Sequence, residues 1–185
     1  MKTGVRVSGG AFRGRALEVP PGARPTEGRV REALFSIWRD PLEGARFLDL
    51  FAGSGVIALE AAGRGALSVL AVDDSPRTIR ALESNAARCG PGVLDIRRLT
   101  LPAGLARLQQ ENAGPFDLVF VDPPYAFEGY EDLLLALVPL LAPDAEVAVE
   151  HSTRREMPVE IGSLVRVDVR RYGESSVSFY RLGPG

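Results

Sequence analysis

Residues 46–55 read Arg-Phe-Leu-Asp-Leu-Phe-Ala-Gly-Ser-Gly, and the fold turns on how that run is read. Arg46 to Leu50 has the apolar character of a strand, Phe51, Ala52, Gly53, Ser54 and Gly55 form a turn, and the stretch through Ala62 suits a helix. Glycine is needed at such a turn because the chain reverses sharply and a ligand must approach the backbone closely. The next apolar run, Ser68 to Val72, ends in Asp73-Asp74. A carboxylate about 20 residues beyond the glycines is where a nucleoside-binding β/α unit accepts hydrogen bonds from ribose hydroxyls.

The same turn also satisfies the dinucleotide pattern G-x-G-x-x-A through Gly53, Gly55 and Ala58. An NAD-dependent oxidoreductase is therefore an alternative. Two features weigh against it. Asp49 precedes the first glycine by four residues, where a carboxylate would repel a pyrophosphate but can orient a ligand bearing an ammonium or sulfonium. His151 is the sole histidine, which leaves carbonyl reduction without its usual acid–base partner.

Outward from this stretch, short apolar runs alternate with helical segments, the pattern of β/α units on a mostly parallel sheet. A helix is expected from Pro76 to Arg88, with Ser75 at its N-cap and Pro76 at its first position. A third strand is expected over Val93 to Leu99 and a third helix over Pro102 to Asn112. Phe116 to Val121 reads as a strand covered on both faces, followed by a helix over Tyr130 to Leu141 and a strand over Glu146 to Glu150. Leu164 to Tyr172 and Ser175 to Leu182 are separated only by Gly173 and Glu174, so they must pair antiparallel. Toward the N-terminus, Val5 to Val7 and Arg15 to Val19 suggest a small hairpin. Thr26 is expected to cap a helix through Trp38 whose Val30, Leu34, Phe35 and Trp38 share one face.

Asp122-Pro123-Pro124-Tyr125 directly follows the fourth strand. Ligands of open α/β sheets bind beyond the carboxyl ends of the strands, at the point where strand order reverses. An order of 3-2-1-4-5 would bring this tetrapeptide to the glycine turn. An exocyclic amine on a base is a poor nucleophile, because its lone pair is delocalised into the ring. The Asp122 carboxylate can accept one of its N–H groups and the Pro123 carbonyl the other, which favours a pyramidal nitrogen and stabilises the positive charge developing there. Pro123 and Pro124 stiffen the loop. Tyr125 offers a face on which an unpaired or flipped base can stack.

Composition sets the remaining bounds. Of 185 residues, 45 % are hydrophobic and 25 % charged, as in an ordinary globular chain. No apolar run approaches the roughly 20 residues of a membrane span. The opening MKTGVRVSGG lacks the apolar stretch of a secretory leader, so a cytoplasmic location is expected. One cysteine, Cys89, and one histidine argue against a disulfide or a zinc site, and no metal is expected. The net charge of −2 is uneven: residues 1–46 carry nine basic and five acidic side chains, and the remainder 13 basic and 19 acidic. A basic leading segment on an acidic body is consistent with an anionic partner at one end.

Over nearly its whole length the chain resembles the bacterial 16S rRNA (guanine(966)-N(2))-methyltransferases. The motifs that carry the likeness are Arg6-Val7-Ser8-Gly9-Gly10 with Arg13-Gly14-Arg15, Arg24-Pro25-Thr26 with Arg29 to Phe35, Asp49 to Gly55, Asp122 to Tyr125, and Tyr172-Gly173-Glu174. The resemblance implies a class I methyltransferase (Rossmann-like) three-layer α/β fold, with a seven-stranded, mostly parallel sheet of order 3-2-1-4-5-7-6 and an antiparallel terminal hairpin. It implies S-adenosylmethionine as cofactor, and as substrate a guanine of 16S rRNA in the assembling or assembled small ribosomal subunit. Asp49, Phe51, Ala52, Gly53, Ser54, Gly55, Asp73 and Asp74 are then the cofactor candidates. Thr100 joins them, although it stands where the family usually has an acidic residue near the adenine. Residues 1–40 are expected to form an RNA-binding extension, with Arg13, Arg15, Arg24, Thr26, Arg29 and Arg31 as its contacts, and 41–185 the methyltransferase domain. The alternatives are an adenine-N6 methyltransferase acting on DNA or RNA, and a non-catalytic RNA-binding module.

Overall fold

The computed structural model describes residues 4–23 and 26–184, in two compact units, Met1–Arg98 and Leu99–Gly185. In the first unit, β1 (Val5–Arg6) and β2 (Ala16–Leu17) pair antiparallel as the expected small hairpin. Helix α1 (Gly28–Ile37) buries Val30, Leu34 and Phe35, and the short α2 (Arg39–Leu42) follows it. Glu27, not Thr26, occupies the N-cap of α1, and no side chain caps it. The helix opens one residue later than a Thr26 cap requires.

Three parallel strands form the body of this unit in the order β5-β4-β3: β3 (Arg46–Leu50), β4 (Ser68–Asp73) and β5 (Asp95–Arg98). Phe47, Leu48, Asp49 and Leu50 are all buried, as befits a strand covered on both faces. Helix α3 (Val56–Gly63) links β3 to β4, and α4 (Pro76–Cys89) links β4 to β5. Ser75 caps α4, its hydroxyl accepting the Thr78 N–H at 3.4 Å. The helix buries Thr78, Leu82, Asn85 and Ala86 at helical spacing. The hairpin docks on the end of α3, where the Ala11 N–H donates to Gly63 O at 2.8 Å. Gly10 is required there: its φ is +73°, and a Cβ would lie 2.5 Å from the same Gly63 oxygen.

The second unit opens with α5 (Leu105–Gln110), shorter than expected because residues 101–104 form turns before it. Its five strands are β6 (Phe116–Val121), β7 (Leu141–Ser152), β8 (Glu160–Ile161), β9 (Leu164–Tyr172) and β10 (Ser175–Leu182), in the order β6-β7-β10-β9-β8. Strands β6 and β7 are parallel, while β10 runs antiparallel to both β7 and β9. Helix α6 (Tyr130–Leu137) stops short of Leu141, and a 3-10 turn over Val138–Leu140 holds Pro139, whose ring cannot continue an α-helix. Strand β7 starts five residues earlier than expected. Phe116 faces Leu141 and Leu118 already faces Glu146, so Pro143 and Asp144 fall in an irregularity of the ladder.

Numbered along the main domain, the two runs read 3-2-1 and 4-5-7-6, the expected order within each unit. The two-residue β8 is an additional strand that its few residues did not announce.

Candidate functional site

The first unit contains a carboxylate-lined loop. After β3 the backbone turns through Phe51 at φ 61°, a left-handed conformation that costs a bulky residue on the order of 1–3 kcal/mol and tends to mark functional loops. The Ala52 N–H donates to Val72 O at 3.0 Å and the Gly55 N–H to Ala52 O at 2.9 Å, which closes the turn. Gly55 is obligatory, since its φ is +80° and a Cβ would meet the Leu82 side chain at 2.1 Å. Gly53 also has positive φ, but a Cβ there would meet nothing within 4 Å, so this loop has open space beside its backbone.

Asp73 ends β4 and braces the turn. One of its oxygens accepts the Gly53 N–H at 3.1 Å and the other the Ser75 N–H at 3.2 Å. The Asp74 N–H bonds the same carboxylate, which still has acceptor capacity for a further donor. Burial raises the Asp73 pKa, while the N–H groups of Gly53, Ser75 and Asp74 pull it down and the Asp74 charge adds to the rise. Asp74 is exposed, and its carbonyl accepts Arg98 Nε at 3.1 Å.

Asp49 is 1 % exposed. Burial pushes its pKa up to about 8, offset in part by a hydrogen bond from the backbone N–H of Ala58 in the first turn of α3 and reinforced by the Asp73 charge. Its Oδ2 has no hydrogen-bond partner. A buried carboxyl oxygen without a donor is costly unless a ligand supplies one.

Two buried residues that sequence reasoning passed over hold this unit together, and one of them holds the loop. Asn85, fully buried on α4, donates to Ser54 O at 2.8 Å and to Glu18 O at 2.9 Å, and accepts the Glu18 N–H at 2.8 Å. A buried asparagine on the inner face of an otherwise amphipathic helix was the available signal. Glu60, fully buried on α3, accepts the Ser8 hydroxyl at 2.7 Å, Arg64 at 2.7 Å, and lies 3.3 Å from Arg31. Arg31 also donates to Arg6 O at 3.1 Å. It is thus buried inside the unit, whereas Arg13, Arg15 and Arg29 are exposed. Arg24 lies outside the described residues, and Thr26 is half-buried ahead of α1.

The second unit contributes the loop after β6. Asp122 is half-buried and Pro123 buried, while Pro124 and Tyr125 face outward, Tyr125 with 61 % exposure. The Phe127 N–H donates to Pro124 O at 2.9 Å, which fixes the loop as a turn. Phe127 packs edge-on against Tyr130 at 5.3 Å, and the Arg155 guanidinium covers the Tyr130 ring at 4.7 Å. Burial pushes the Tyr130 phenol up to about 12, Arg155 opposes it, and the Asp122 charge adds to the rise, so the two groups lie within electrostatic reach. Thr100 is exposed on the segment after β5, its carbonyl accepting the Gly104 N–H at 2.7 Å. Among the described residues no group of three or more His, Cys, Asp or Glu could hold a metal, and no helix is long and apolar enough to cross a membrane.

A glycine turn after the first core strand, an acid ending the second, and an Asp-Pro-Pro-Tyr loop after the fourth, on sheets of this order, define the class I methyltransferase fold. The chain belongs to the family described as Conserved hypothetical protein 95, whose model matches residues 5–181. It is 36 % identical over 166 residues to Ribosomal RNA small subunit methyltransferase D of Escherichia coli strain K12, covering 83 % of this chain and 78 % of that one. It is 32 % identical over 189 residues to YlbH of Bacillus subtilis strain 168, whose name provisionally assigns it as an rRNA methyltransferase, covering 96 % and 98 %. Among solved structures, the Escherichia coli protein yhhF, provisionally titled a methyltransferase, superimposes with a TM-score of 0.84 at 30 % identity, covering 98 % of this chain and 99 % of that one. The likeness read from the sequence therefore holds at the level of family and fold.

Proposed function

We propose that the protein methylates the exocyclic N2 of one guanine in 16S rRNA of the small ribosomal subunit, in the cytoplasm, using S-adenosylmethionine. The observation that carries the reading is the loop after β6, with a half-buried carboxylate at Asp122 and an outward aromatic at Tyr125. The rRNA substrate comes from the likeness to the Escherichia coli small-subunit methyltransferase.

The residues of the first unit suit the cofactor. The donor-free Oδ2 of Asp49 is matched to a cationic amino-acid group, and the spare lone pairs of Asp73 to ribose hydroxyls. Phe51, Ala52, Gly53, Ser54 and Gly55 supply the close backbone; Asp74 and, in the second unit, Thr100 are the remaining cofactor candidates. S-adenosylmethionine supplies, when bound, a methyl group activated by its sulfonium. Asp122 accepts an N–H of the target amine and stabilises the positive charge that develops on that nitrogen. The Pro123 carbonyl offers a second acceptor, Pro124 stiffens the turn, and Tyr125 stacks the base.

In the same reading residues 1–40 form an RNA-binding extension, with Arg13, Arg15 and Arg29 facing outward, Arg24 and Thr26 as further contact candidates and Arg31 bracing it, while residues 41–185 form the methyltransferase domain. Incubation with unmodified small subunits and with bare 16S rRNA, using methyl-labelled cofactor, followed by mass mapping, tests the proposal. Label on one guanine N2 is expected. Label on adenine N6, or calorimetric binding of NAD in place of S-adenosylhomocysteine, would overturn it.

A further inference from the structure

The second unit contains a cleft of about 710 Å³ where the end of β7, the segment after it and the β9–β10 hairpin meet. Five arginines line it, Arg154, Arg155, Arg166, Arg170 and Arg171, against one carboxylate, Glu156. Antiparallel pairing assembles it: Ser176 of β10 faces His151 of β7 on one side and Arg171 of β9 on the other.

The floor of the cleft is neutral and internally satisfied. One ring nitrogen of His151, Nδ1, donates to Ser152 O at 2.9 Å, so Nε2 accepts the Ser178 hydroxyl at 2.8 Å. Thr153 donates to Gly173 O at 3.0 Å and accepts the Ser176 hydroxyl at 2.9 Å. Such a floor neither repels nor neutralises charge. The walls are another matter. Arg155 is held by Glu128 at 2.6 Å, Arg170 by Asp168 at 2.7 Å, and Arg166 donates to Met157 O. Arg154 and Arg171 are exposed and have no acidic partner among the described residues. Converging like charges oppose one another, and a chain of net charge −2 has acidic side chains to spare for pairing them. Guanidinium groups spread across one cleft, with free forks, match a run of phosphates better than a single small anion.

The cleft is linked to the Asp-Pro-Pro-Tyr loop through Arg155, which belongs to its wall and covers the Tyr130 ring, on whose phenol the Asp122 charge also acts. We propose that this cleft is an RNA-backbone site, in which Arg154 and Arg171 grip phosphates of the strand that presents its base to Asp122. The inference rests on the RNA substrate proposed above and adds a subsite to it.

The test is the salt dependence of binding of unmodified 16S rRNA to the full chain, wild type against Arg154→Gln with Arg171→Gln. S-adenosylhomocysteine calorimetry and thermal unfolding monitor folding, which two exposed side chains leave unchanged. Loss of two phosphate contacts to a single strand should lower the slope of log affinity against log salt by about 1.4, and weaken binding about tenfold near physiological salt. An RNA-binding wild type whose double variant keeps both affinity and slope would overturn the cleft site while leaving the substrate reading intact. A wild type that binds no RNA overturns both. Saturable binding of GMP that the double variant loses, with the RNA slope unchanged, would make the cleft a mononucleotide site and overturn the assignment.

Discussion

Arginines behave oppositely in the two units of this protein. In the first unit Arg31 and Arg64 converge on the buried carboxylate of Glu60, and Ser8 completes the cluster, tying the N-terminal hairpin to α1 and α3. In the second unit five arginines surround a neutral floor with one acid among them. In the first arrangement both guanidinium groups share one carboxylate, which allows Glu60 to be buried. The second leaves positive charge over. Charge counting over whole segments points the other way, since residues 1–46 set nine basic against five acidic side chains and the remainder 13 against 19. Which arginines are available to an anion is decided by what the fold places opposite them.

A third charge shows what happens without a partner. Asp49 is buried as deeply as Glu60 but faces one N–H and no cation, and its pKa rises to about 8. The interior handles one carboxylate with guanidinium groups and the other with a proton.

The largest effect should come from breaking the closed cluster. Glu60→Ala leaves Arg31 and Arg64 without their acid and is expected to cost about 3 kcal/mol or more, a fall in Tm on the order of 10 °C, with the RNA salt slope unchanged. A loss below about 1 kcal/mol would mean that solvent screens the cluster. Asp122→Ala should separate chemistry from grip: methylation falls by about 100- to 1000-fold, while S-adenosylhomocysteine and RNA binding stay near wild type. Parallel loss of cofactor binding would reassign Asp122.

The Asp49 contrast is read by pH. The folded state keeps the proton up to about pH 8 that the unfolded chain sheds near pH 4, so stability falls as pH rises between them, by at most about 1.4 kcal/mol per unit. Asp49→Asn should flatten that slope in thermal melts from pH 5 to pH 8, and an unflattened slope would place the titration elsewhere. The smallest effect is expected at the other exposed cations: Arg13→Ala with Arg15→Ala should weaken RNA binding a few-fold and flatten its salt dependence. If this pair carries the slope and the cleft pair does not, the comparison above is reversed.

The elements were legible where local signals agree. Ser75-Pro76 marks a helix start whatever surrounds it, and the two residues between β9 and β10 permit only antiparallel pairing. The glycine turn, Asp73 and the Asp-Pro-Pro-Tyr loop were likewise visible, because positive φ, close backbone approach and proline stiffness are properties of residue types in short order. Boundaries failed where tertiary pairing outweighs propensity, as at Leu141, which joins the ladder five residues early opposite Phe116. The inner-face position of Asn85 and the i,i+4 spacing of Glu60 and Arg64 were local marks, but their roles lie in partners 31 to 67 and 52 residues distant.

By itself, then, the order of residues established the β/α alternation and the terminal hairpin, and singled out Asp49, Asp73 and Asp122 as candidates. Tertiary structure alone decided which charges are spent and which are spare: that Arg31 is buried against Glu60, that Asp49 Oδ2 lacks a donor, and that Arg154 and Arg171 share a cleft. The reason is physical. Backbone conformation follows from neighbours along the chain, whereas the energy of a charge depends on its burial and on what lies within a few ångströms, and those are set only when distant segments meet.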